Sequence, residues 1–130
     1  MVKRKIINPV SANKKLEEPF ARYLIFRNIK FVRQFKPFEK RKYKCDFYLP
    51  EYNTIIEIEG GQWTSGRHTR GKGFQMDIEK YNKLTLAGFK VYRLTTSHFQ
   101  KTGMNEFACV GYAANLINEI VGLVDSTTGR

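Results

Sequence analysis

Two cysteines among 130 residues, Cys45 and Cys109, are too few to make a disulfide framework. Cys45 falls in a strand-like stretch and Cys109 in a helical one, so both read as buried free thiols of a protein in a reducing cytoplasm. No apolar run reaches the length that spans a bilayer, and no secretory signal pattern opens the sequence. Internal repeats and low-complexity segments are missing too, which excludes a solenoid or an array. Acid is scarce: 12 Asp plus Glu face 23 Lys plus Arg, for a net charge of +11. That excess calls for a polyanion, nucleic acid most simply, although a membrane surface or an acidic protein would also neutralise it. With 42% hydrophobic and 14% aromatic residues the chain can build a core, and its length suits one domain.

Hydrophobic periodicity and turn residues order the elements. Residues 1–10 form a basic arm, a single domain covers 11–124, and 125–130 are a tail. Ser11 is a suitable N-cap for a helix to about Asn28, with Leu16, Phe20, Tyr23 and Leu24 on its apolar stripe and Pro19 as an awkward interior residue. Strands are expected at 29–35, 43–49 and 54–59, the last two joined by the turn Pro50-Glu-Tyr-Asn. A glycine-rich loop over 62–73 leads to a helix from about Phe74 to Ala87, whose inward positions are Phe74, Ile78, Tyr81 and Leu84 and whose C-cap is Gly88. A fourth strand at 89–95 and a helix from Asn105 to about Val124, with Val110, Ala113, Ile117 and Ile120 on its apolar face, complete the chain. The order α-β-β-β-α-β-α implies an α/β fold, a three-layer α/β/α sandwich with helices on both faces of the sheet.

The stretch from Tyr43 to Trp63 carries the chemistry. Strand alternation groups Cys45, Phe47 and Leu49 on one face and turns Asp46 the other way, while Ile56 and Ile58 oppose Glu57 and Glu59. A hairpin then brings three carboxylates to one face inside a basic protein. A hard divalent cation, Mg²⁺ or Mn²⁺, would relieve their repulsion with help from a strand carbonyl; a solvated edge strand would also accommodate them. Glu17 lies on the inward stripe of the first helix, where it either joins such a site or complements the helix dipole. The loop Gly66-Arg-His-Thr-Arg-Gly-Lys-Gly offers Arg67, Arg70 and Lys72 to phosphates, with His68 as a candidate for proton transfer. Lys80 pairs with Asp77 one turn away or reaches into the site, since no lysine follows Glu57 in its strand.

Asp46, ten residues, then Glu57-Ile-Glu59 on consecutive strands resembles the PD-(D/E)XK, restriction-endonuclease-like nuclease superfamily. The linked segments Leu16-Glu-Glu, Arg41-Lys-Tyr-Lys-Cys-Asp-Phe, Ile56-Glu-Ile-Glu-Gly-Gly-Gln-Trp, Gly66-Arg-His-Thr-Arg-Gly, Asp77-Ile-Glu-Lys-Tyr-Asn and Gly88-Phe-Lys-Val-Tyr-Arg are similar to small phage and prophage endonucleases related to very-short-patch-repair and VRR-type nucleases. That resemblance implies a restriction-endonuclease-like core and a phage-encoded, Mg²⁺-dependent DNA endonuclease acting in the cytoplasm of a bacterial host. It makes Asp46, Glu57 and the Ile58 carbonyl metal ligands, and Glu17 or Glu18 the helix acid. Glu59 stands where the superfamily usually has lysine, and Trp63 where patch-repair relatives often have histidine. Glu59 then binds a second ion or orients the water, while Arg33, Arg41, Lys42, Lys80 and the His68 loop hold duplex or branched DNA. Cutting both strands with one domain implies a homodimer. A junction resolvase and a non-catalytic DNA-binding module on the same fold are the competing expectations.

Overall fold

A computed structural model of the chain describes residues 12–59, 71–104 and 106–128. The expected basic arm, the Ser11 cap and most of the His68 loop, including Arg67, His68 and Arg70, lie outside the described residues.

Helix α1 (Ala12–Phe26) runs through Pro19, which is buried against the core with Leu16, Phe20 and Leu24. It ends where Asn28 adopts φ 60° and the Ile29 amide turns back 2.9 Å to the Leu24 carbonyl, burying Ile29 with Leu24. Strands β1 (Val32–Phe35), β2 (Cys45–Leu49) and β3 (Thr54–Glu59) form an antiparallel set. Pro50–Tyr52 makes a single 3-10 turn between β2 and β3, closed by Asn53 at φ 49°. Helix α2 (Gly71–Leu86) carries the chain across to β4 (Lys90–Thr95), which pairs parallel with β3, as a helical crossover requires. Gly88 at φ 95° supplies the left-handed residue that ends α2, and the Phe89 amide reaches the Leu84 carbonyl. The sheet order is β1-β2-β3-β4.

Helices α1 and α3 (Tyr112–Thr128) cover one face of this mixed sheet. Phe20 meets Phe47 edge-on at 5.0 Å, and Ala113 and Ile117 of α3 join the same cluster with Ile56, Ile58 and Leu94. The opposite face meets α2 through a smaller cluster of Cys45, Ile55 and Leu84, ringed by Phe35, Tyr48 and Phe89.

Three expectations change. Phe74 and Ile78 are 43% and 45% exposed, so α2 buries only its C-terminal half, and the helix begins at Gly71, inside the expected loop. Residues 106–110 are not helical: Phe107–Ala108 forms β6, paired with β5 (Gln100–Lys101), and Gly111 at φ 67° precedes α3. Cys109 and Val110 therefore lie outside the helix, with Val110 41% exposed, while α3 runs on into the expected tail as far as Thr128.

Candidate active site

The β2–β3 ladder stops early. Its register pairs Leu49 with Thr54, Tyr48 with Ile55 and Phe47 with Ile56, and goes no further towards Asp46. There the Asp46 side chain takes over from the backbone, its Oδ2 accepting the Ile58 N–H at 2.8 Å. A carboxylate in place of a ladder carbonyl lets the strands part without leaving that amide unsatisfied.

The irregularity breaks the alternation expected of β2. Gln34, beside this point on β1, has φ 52°, and Cys45 lies with Ile55 and Leu84 on the α2 face rather than with Phe47 and Leu49. Its thiol therefore faces Glu57. Burial pushes that thiol up to about 12, with the Glu57 charge adding to the shift, so Cys45 stays protonated.

Glu57 is 8% exposed. Lys80 Nζ, from α2, lies 3.4 Å from its Oε2, and the Lys80 side chain is only 14% exposed. The ammonium also sits over the rings of Tyr43 and Tyr81, 5.2 and 5.4 Å from their centroids. Burial raises the Glu57 carboxyl above the ordinary carboxylate range; Lys80 pulls it back down and Asp46 repels it further up. Glu57 thus feels both the Lys80 ammonium and the Asp46 carboxylate at the point where the strands part.

Glu59 is engaged elsewhere. Arg93 of β4 grips it through two nitrogens, the longer contact 2.9 Å, and the Tyr81 hydroxyl lies 3.3 Å from Oε2. Parallel register sets Arg93 beside Glu57 on the same face, and the guanidinium covers the Tyr81 ring at 4.7 Å.

The donor set suits a hard divalent cation, since Mg²⁺ is commonly held by one or two carboxylates while keeping several waters. Among the described residues no group of three or more His, Cys, Asp and Glu side chains could hold a metal ion. Two carboxylates, with the main chain, are therefore what Asp46 and Glu57 offer.

Comparison with known proteins adds little. No protein-family model matches the chain. No curated protein matches it either. Among solved structures, the Homing Endonuclease I-Bth0305I Catalytic Domain is similar over 90% of this chain and 92% of that one, at 17% identity and a TM-score of 0.47. A likeness at that level fixes no activity.

The remaining candidates scatter. Glu17 is 4% exposed and pairs with Arg33 at 3.2 Å; the same guanidinium takes Glu18 at 3.0 Å and lies over Phe47. Arg33, expected on DNA, thus has two carboxylates as partners within the protein. Arg41, Lys42 and Lys72 are exposed. Ile58, whose carbonyl was the expected ligand, is 2% exposed. His98 accepts the Thr95 N–H at 3.0 Å and stacks on Tyr112 at 4.2 Å, away from these candidates. Arg93 was legible in principle: Val91, Arg93 and Thr95 alternate against core-facing Leu94. Cys45 gave no such signal, because its face depends on the break in the ladder.

Proposed function

We propose that the protein is a divalent-metal-dependent DNA endonuclease of the PD-(D/E)XK type, with a restriction-endonuclease-like α/β/α core. One observation carries this reading: Lys80 of α2 lies half-buried against Glu57 at 3.4 Å, and Glu57 also feels Asp46, where β2 and β3 separate. The superfamily pattern calls for two carboxylates and a lysine, and this chain has glutamate at the lysine position. In our reading the lysine arrives from the helix instead.

The residues divide the work. Asp46 and Glu57 would hold the metal, and the Ile58 N–H fixes the orientation of Asp46 as Lys80 fixes that of Glu57. A bound Mg²⁺ would supply a Lewis acid and a more acidic bound water. Lys80 offers its ammonium to the phosphate oxygens and stabilises the charge that builds there. Tyr43 and Tyr81 shelter that ammonium from water and strengthen its field. Glu59 acts through Arg93 and Tyr81, which it holds in place. The +11 net charge draws in the DNA backbone.

Purified protein should nick supercoiled plasmid in Mg²⁺ and not in EDTA. Asp46→Asn should lose that activity while binding DNA as wild type does. Absence of metal-dependent cleavage by the wild type would overturn the reading.

A further inference from the structure

The segment before β2 and the outer face of α2 enclose a cavity of about 830 Å³, within the range of small-ligand sites. Its walls are strongly basic. Lys40, Arg41 and Lys42 line it from one side and Lys83 from the other, with Lys80 shared between cavity and Glu57. Among the described residues, Lys40, Arg41, Lys42 and Lys83 make no ion pair, whereas Arg33 and Arg93 are each paired. One carboxylate, Glu79, also lines the space and accepts from Gln75 at 3.1 Å.

Charge alone would suit any polyanion, but the cavity has two further properties. Met76 and Leu86, 58% and 85% exposed, give it an apolar wall that a phosphate backbone does not need. Tyr43 lines it as well, and the Tyr43 hydroxyl is buried without a hydrogen-bond partner. A sealed hydroxyl with no partner costs free energy unless something brings an acceptor or donor to it. Cations, an aromatic ring and apolar side chains around one concavity are what an unstacked nucleotide requires: phosphate on the lysines, base and sugar on the rest.

We propose that this cavity is a subsite for one unpaired nucleotide of the strand being cut. Lys40, Arg41, Lys42 and Lys83 hold its phosphate, Met76, Leu86 and the Tyr43 ring face its base and sugar, and Tyr43 Oη, sealed in the free protein, completes its hydrogen bonding once the bound nucleotide uncovers it. Lys80 forms the wall common to subsite and cutting site, so the bound nucleotide lies next to the scissile phosphate. The position of the cut rests on the nuclease reading above; nucleotide binding does not.

The test uses the full chain in EDTA with a fluorescein-labelled oligothymidylate, displaced by 5′-dTMP, thymidine or inorganic phosphate. The account expects dTMP to displace the probe at concentrations about tenfold or more below either fragment. Tyr43→Phe should weaken dTMP about fivefold or more, as loss of one buried hydrogen bond predicts, while raising the melting temperature of the free protein. Those opposite signs separate a ligand-binding hydroxyl from a merely structural one. Lys83→Ala, at an exposed position, should weaken dTMP without changing the melting temperature. Asp46→Asn should bind dTMP within twofold of wild type. Equal competition by phosphate and dTMP, or unchanged dTMP affinity in both Tyr43→Phe and Lys83→Ala, would overturn the subsite. Selective dTMP binding by a wild type that cuts nothing would instead leave the subsite standing and remove the nuclease reading.

Discussion

The two faces of the sheet are built on opposite terms. Where α1 and α3 cover it, Leu16, Phe20, Leu24, Phe47, Ile56 and Ile117 close a continuous apolar layer, each fully buried. Where α2 covers it, three buried residues suffice for the core, and the space beside them holds Glu57, Lys80, Glu59, Arg93 and two tyrosines. Apolar burial is worth roughly 25 cal/mol per Å², whereas buried charges recover little beyond their desolvation cost. The first face therefore supplies stability, and the second spends some of it on a charged cluster. A fold that concentrates its core on one side can leave the other polar enough for chemistry.

Breaking the apolar face should have the largest effect. Phe20→Ala removes a ring that meets both Phe47 and Phe99, and should cost about 3–5 kcal/mol of unfolding free energy, read by urea denaturation. On the α2 face, Lys80→Met leaves Glu57 buried beside Asp46 without its cation. It should cost about 1–3 kcal/mol at neutral pH, and Mg²⁺ should restore part of it, read as a shift in melting temperature.

A subtler difference concerns pH. The Glu57 carboxyl is raised by burial and by Asp46 against the pull of Lys80, so the folded chain holds its proton more tightly than the unfolded one. That stabilisation is complete below the ordinary carboxyl range and is lost as pH rises through the raised value. Between acidic and neutral pH, the wild-type melting temperature should therefore fall relative to that of Glu57→Gln. Parallel curves would remove the electrostatic account of the α2 face. The smallest effect is expected at the unburied end of α2, where Phe74→Ser should stay within about 0.5 kcal/mol of wild type by denaturation.

The same contrast explains what could be read from the sequence. The apolar face follows periodicity: Leu16, Phe20 and Leu24 along a helix, and Ile56 and Ile58 along a strand, announce where the core lies. The α2 face depends on events that periodicity does not encode. Alternation put Cys45 with Phe47, but the ladder opens at Asp46 and the cysteine turns to Glu57. Phe74 and Ile78 have helical spacing, yet both stay exposed, and the cluster under α2 takes in Tyr81 and Leu84 alone from that stripe. Arg33 read as a DNA contact because nothing in its neighbourhood predicts that a helix fifteen residues earlier brings Glu18 to it. Lys80 lay in view as a cation on a helix, and only the crossover between β3 and β4 aims it at Glu57.

That lysine is where the functional reading is most exposed to test. Single-turnover cleavage of a labelled duplex at saturating Mg²⁺ should be compared between wild type and Lys80→Met, with DNA affinity measured in EDTA on the same preparations. The account predicts a rate at least about 100-fold lower, a barrier increase of about 2.7 kcal/mol, with affinity within about twofold of wild type. Equal rates, or a loss matched by weaker binding, would contradict it.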